Sequence, residues 1–181
     1  MMQMLLVLMI AGLVLPAPAT SQSVAAPAPG RAAIIAAAKT IIASARYATF
    51  ITLDDTGRPQ ARIVDPFAPD EDFTIWVATN ARSRKVAQIA ADSRVTLTYF
   101  DAGGQNYVTA LGTAALVRDP KEKARHWKAE WAAFYKDGPR GDDYLLIRVV
   151  PARLEVVATS LGMTSDPLTW RPVILDLAPK P

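Results

Sequence analysis

Arg82, Arg84 and Lys85 fall directly after an apolar segment, and that conjunction is the part of the sequence best suited to chemistry. Phe73 to Thr79 (FTIWVAT) alternates, with Phe73, Ile75 and Val77 on one side and Thr74, Trp76 and Ala78 on the other. The alternation predicts a β-strand. Asn80-Ala81-Arg82-Ser83-Arg84-Lys85-Val86 follows, and Ser83 is placed to cap a helix with Val86, Ile89 and Ala90 on its apolar face. A helix start presents unpaired N–H groups and the positive end of the helix dipole, so cationic side chains added there favour a phosphate. Helical spacing sets Arg82 and Lys85 beside the buried side and turns Arg84 away. The segment reads as the phosphate grip of a cofactor site.

Other chemically capable residues read more simply as structure. Trp127 and Trp131, four apart, could stack on a ring, but a helix lying on a sheet needs such residues for packing. His126, the sole histidine, has no second histidine or cysteine to work with and is expected at a surface or interface. Asp54, Asp55, Asp70, Glu71 and Asp72 match no ion-binding loop, so they read as solvated turns and no metal site is expected. No nucleophile motif is present, and the catalytic residues are unknown from sequence.

The elements that must position the grip come from a chain of 181 residues with a formal net charge of +3 and both signs intermixed. No long basic run occurs, which argues against a nucleic-acid partner. The first thirty residues carry no charge, and Met4 to Leu15 is apolar apart from Gly12, stopped by Pro16. That run is too short for a membrane span and fits a secretory signal peptide over 1–22, cleaved near Ala19 to Ser23. The expected location is therefore periplasmic or secreted, with no membrane attachment after cleavage. The chain has no cysteine, which excludes a lipoprotein and any disulfide. Residues 23–30 form an Ala/Pro linker, and 31–181 suit one domain with one core.

Within that domain, Arg31 to Ala45 has helical apolar spacing, and Tyr47 to Leu53 with Gln60 to Val64 predicts a hairpin around Asp54-Asp55-Thr56-Gly57. Arg94 to Phe100 and Asn106 to Val117 are strands, Gly112 marking a bulge or a close backbone approach. Asp119-Pro120 opens a helix whose stripe is Ala124, Trp127, Trp131 and Phe134 or Tyr135. Tyr144 to Val150 and Arg153 to Ala158 read as two further strands. The fold class is mainly β with flanking helices, a small antiparallel barrel.

This order resembles the pyridoxamine-phosphate-oxidase-like flavoproteins with the FMN-binding split β-barrel, in particular their general-stress-protein branch. The resemblance is carried by Ala61-Arg62-Ile63-Val64, Trp76 to Asn80, Ser83 to Val86, Val108 to Ala114 and Asp166 to Pro172. It implies that Arg62 and Lys85 hold the FMN phosphate, that Ile63 and Val64 run along the isoalloxazine, and that Ala78 and Thr79 contact flavin and phosphate with Ser83 and Arg84 beside them. It also implies a homodimer with FMN at the interface, where Trp170 and Arg171 serve the partner's cofactor. Tyr107 stands where pyridoxamine phosphate oxidases themselves usually carry a glutamine on the ring, and the tail has no Arg-x-His motif. The expected function is an FMN-dependent oxidoreductase whose flavin does the chemistry. The alternatives are a flavin or haem carrier without turnover, or a deazaflavin-dependent reductase.

Overall fold

The computed structural model describes residues 28–103 and 105–177, so the expected signal peptide and most of the linker lie outside the described residues. Helix α1 (Arg31–Ser44) leads into the hairpin β1 (Ala48–Leu53) and β2 (Pro59–Val64). Strand β3 (Ile75–Asn80), helix α2 (Arg84–Ala91), β4 (Arg94–Asp101) and β5 (Asn106–Val117) follow. A short α3 (Pro120–Arg125), a long β6 (Tyr144–Val157) and β7 (Val173–Asp176) complete the chain. All the strand pairings are antiparallel, in the order β2-β1-β4-β5-β6-β3, and β7 joins the second half of β6.

The sheet curls into a half-barrel and leaves β2 and β3 as edges, each paired on one side only. Its concave face holds Phe50, Leu97, Val108, Ile147 and Val149, closed off by Ile34, Ala38 and Ile41 of α1. Strand β3 and the start of β6, Tyr144 to Ile147, are buried on both faces, because a second apolar cluster built on Trp76, Tyr144 and Leu146 covers their outer side. Fully burying an aliphatic side chain in either layer stabilises by about 1.5–3 kcal/mol.

Gly112 shows why β5 and β6 stay together along their length. A Cβ there would sit 2.2 Å from the carbonyl oxygen of Val150, so only glycine lets the strands approach. The register shifts between Leu111 and Gly112, and Pro151 lies opposite that shift. The two strands expected on either side of Pro151 are therefore one, since a bulge tolerates a proline that donates nothing to the ladder.

The helix expected from Asp119 through Tyr135 is also corrected. Asp119 caps it, accepting from the amides of Lys121 (2.8 Å) and Glu122 (3.0 Å), but the α-helix ends at Arg125. The Tyr144 hydroxyl donates to the carbonyl of His126, taking that carbonyl out of a helical ladder. A 3-10 turn over Ala129–Ala133 then carries Trp131 round to the aromatic cluster. His126 is buried instead of surface-exposed: its ring stacks on Trp76 at 4.3 Å, and its Nδ1 lies 3.1 Å from the carbonyl of Glu122.

Candidate functional site

A cavity of about 470 Å³ opens where the half-barrel fails to close. Its walls come from both sheet edges, Ile63 and Val64 of β2 facing Ala78 and Thr79 of β3, with Ser83 and Lys85 from the start of α2. The segment after α3 closes the remaining side with Trp131, Phe134 and Tyr135. As an edge strand, β2 also leaves one row of backbone donors and acceptors unpaired by the sheet.

Helix α2 forms because Val86 and Ile89 bury on one face while the opposite face stays polar; Ala90 is exposed, contrary to expectation. Ser83 is its N-cap residue, yet the hydroxyl caps nothing. It lies 3.0 Å from the Thr79 hydroxyl and accepts from Lys85 Nζ at 3.3 Å. The amides of Arg84 and Lys85 have no partner among the described residues, as the first turn of a helix dictates. Two hydroxyls, two free amides and an ammonium thus share one helix mouth.

Arg62 reaches toward the same mouth from β2. Its Nη1 donates to Thr52 Oγ1 (2.7 Å) and to the carbonyl of Phe50 (3.3 Å), and its Nη2 donates to Gln88 Oε1 (3.0 Å). Thr52 in turn donates to Gln88 Oε1 at 2.6 Å. The Nε–H and one Nη2–H of Arg62 remain without a partner among the described residues, and these form one edge of the guanidinium fork. Thr52 and Gln88 were not anticipated. Gln88 stands three residues after Lys85, on the same side of α2, so helical spacing held the signal; Thr52 needed the strand register.

Positive charges gather here without ion-pair partners, and the Asp65 carboxylate on the cavity wall is taken by Lys128. Among the described residues no carboxylate pairs with Arg62, Arg84 or Lys85. Burial lowers the pKa of Lys85 below the ordinary lysine value, and the nearby charge of Arg62 adds to the effect. Burial also lowers that of Arg62, with Arg84 contributing. Such like-charge crowding disfavours the empty state and rewards a bound dianion.

The structure thus brings Ile63, Val64, Ala78, Thr79, Ser83 and Lys85 to one cavity, with Arg62 anchored beside it. Arg84 is exposed and acts through its charge at Arg62. Arg82 is exposed in the turn before α2, where helical spacing does not apply. Tyr107, Trp170 and Arg171 do not line this cavity; Trp170 is 79% exposed at φ 58°.

Comparison with known proteins agrees with this architecture. The family described as "Pyridoxamine 5'-phosphate oxidase like" matches residues 35–167. No curated protein matches the chain. Among solved structures, general stress protein 26 from Bacillus anthracis is similar at 21% identity and TM-score 0.63, covering 78% of this chain and 97% of that one. A protein from Clostridium acetobutylicum related to general stress protein 26 of B. subtilis (pyridoxinephosphate oxidase family) gives 15% identity and TM-score 0.66, over 79% and 94%. A heme binding protein from Mycobacterium smegmatis gives 20% identity and TM-score 0.56, over 73% of this chain and 55% of that one. At such identities the structures share the fold, and the half-barrel is the split barrel of these proteins. With the family matched over most of its length, the chain belongs to the pyridoxamine 5'-phosphate oxidase like family.

Proposed function

We propose that this protein is an FMN-binding flavoprotein with an oxidoreductase role, exported to the cell envelope and working as a homodimer. The observation that carries the reading is the cation cluster at the helix mouth: Arg62 and Lys85, unpaired with any described carboxylate, beside free amides and the Thr79 and Ser83 hydroxyls. A phosphate monoester dianion matches that donor set in charge and in number of acceptors. Arg62 and Lys85 hold the phosphate, Ser83 and Thr79 donate hydroxyl hydrogen bonds to it, and the open edge at Ile63 and Val64 offers backbone groups to a polar ring. When bound, the flavin supplies electron or hydride transfer.

Haem fits less well. The sole histidine is buried against Trp76 and does not line the cavity. The homodimer reading is supported by the open cavity and its apolar rim, where Ile63 is 66% and Phe134 75% exposed. Export rests on the apolar run from Met4 to Leu15; its test is the N-terminus of the mature protein, expected between Ala19 and Ser23.

The direct test is copurification. The wild-type protein is expected to carry a ligand that absorbs as oxidised flavin, bleaches with dithionite and has the mass of FMN. The Arg62→Ala/Lys85→Ala variant should purify folded and colourless. A Soret band would favour the haem carrier, a single deazaflavin band the reductase alternative, and full flavin occupancy in the double variant would remove the assigned grip.

A further inference from the structure

A second cavity, of about 550 Å³, lies between α1 and the loop that joins β2 to β3. Its volume is within the usual range for small-molecule sites. Ile42 of α1, Phe67 and Phe73 of the loop and Tyr99 of β4 give it apolar and aromatic walls. Two features set it apart from a packing defect.

Tyr99 is 1% exposed, and its hydroxyl is buried without a hydrogen-bond partner among the described residues. An unsatisfied buried hydroxyl is costly, and native proteins keep few of them. Burial pushes the Tyr99 pKa up, so the group stays a neutral donor at all physiological pH. The second feature is Phe73, which holds φ at 67°, a left-handed conformation that a bulky residue adopts only under constraint. That strain is held by the hydrogen bond that the Phe73 amide donates to the Asp70 carbonyl at 3.0 Å, and the ring receives Lys39 Nζ at 5.8 Å.

The charges around the cavity are balanced. Lys128 pairs with Asp65 at 3.3 Å, and Asp70 accepts from Trp76 Nε1 at 2.9 Å and faces Arg125. Lys39 and Arg46 are matched in number by Glu71 and Glu130. A balanced rim over an apolar interior rejects a strongly charged ligand, and the hydroxyl asks for an acceptor.

We propose that this cavity binds a neutral, flat, largely apolar molecule whose carbonyl oxygen accepts a hydrogen bond from Tyr99. The site stands apart from the phosphate grip and does not depend on the flavin assignment, although Asp65 borders both cavities.

The neutral aromatic ketone prodan is a suitable probe, because its emission reports both desolvation and hydrogen bonding at its carbonyl. The protein should bind it saturably with blue-shifted emission. Tyr99→Phe should weaken binding about threefold to tenfold, the loss of one hydrogen bond, and shift the bound emission further to the blue. Ala43→Trp, placed on the exposed side of α1 at the cavity wall, should abolish binding. Arg62→Ala/Lys85→Ala should leave it intact. In the absence of probe, Tyr99→Phe should match or exceed the wild-type melting temperature, since the hydroxyl it removes has no partner among the described residues. Absence of saturable binding, indifference of affinity and emission to Tyr99→Phe, or a lower melting temperature of that variant without probe would each overturn the proposal.

Discussion

At the far end of α2, Arg94 folds back on Asp92, its Nε donating to Oδ1 at 3.0 Å and to Oδ2 at 3.1 Å. Those bonds hold the Asp92 carboxyl down to about 2. At the near end, Lys85 of α2 and Arg62 of β2 carry lowered pKa values, each by burial first and a neighbouring cation second. One end satisfies its charge internally and lies in solvent. The other concentrates charge, partly buries it and leaves donors free. The contrast separates a cation that finishes a helix from cations that await an anion.

The strongest way to break this contrast is to remove the near-end cations. Arg62→Ala/Lys85→Ala deletes charge-assisted hydrogen bonds of about 1.5–3 kcal/mol each, so FMN affinity by fluorescence quenching should fall about 10²- to 10⁴-fold. The pH profile gives the next largest effect. Affinity should rise from pH 5 to 7 as a phosphate with a second pKa of about 6 becomes a dianion. It should then fall as pH passes the free-protein pKa of Lys85, which lies below the ordinary 10.5. Losing one charged bond predicts a decline of about 10- to 100-fold, and Lys85→Arg should move it to higher pH.

The sign for stability is opposite. A lysine whose folded pKa is depressed makes the folded state less stable at lower pH, where it is charged. The unliganded protein should therefore gain stability as pH rises from that folded pKa toward 10.5. A denaturation series in phosphate-free buffer, compared with Lys85→Met, checks it: the variant should lack this pH dependence.

Gln88→Ala should act more weakly. It removes the acceptor that holds both Arg62 Nη2 and the Thr52 hydroxyl, and so should weaken FMN about threefold to tenfold without touching the ligand. Gln88→Glu should lower affinity further, by giving Arg62 the internal carboxylate it otherwise lacks.

Smallest of all is Asp92→Asn at the far end, expected to leave FMN affinity unchanged. Its stability effect should be full above the ordinary carboxylate pKa and vanish only in acid. The depressed carboxyl contributes above its ordinary 3.8, and the contribution is lost as pH falls toward about 2, so wild type and variant should converge there.

Much of this contrast was legible in the order of residues. The strand-to-helix turn at Ser83, the hairpin around Asp54 to Gly57 and the close approach at Gly112 are local, and local rules found them. What escaped depends on register and on packing between distant segments. Thr52 meets Arg62 only because β1 and β2 pair as they do. Trp131, Phe134 and Tyr135 reach the cavity because the helix after Asp119 ends early, and that ending depends on Tyr144, 18 residues beyond the His126 carbonyl it claims. The apolar stripe read as helix packing is instead part aromatic cluster and part cavity wall. Trp170 and Arg171 do not line this cavity.

Arg62 and Lys85 are expected to hold the phosphate, and not the ring alone. Comparing FMN with riboflavin, which lacks the phosphate, on the apoprotein tests it most directly. FMN should bind at least about 100-fold tighter than riboflavin, with the ratio collapsing to within about threefold in Arg62→Ala/Lys85→Ala. Equal affinities in the wild type, or an undiminished ratio in the double variant, would contradict it.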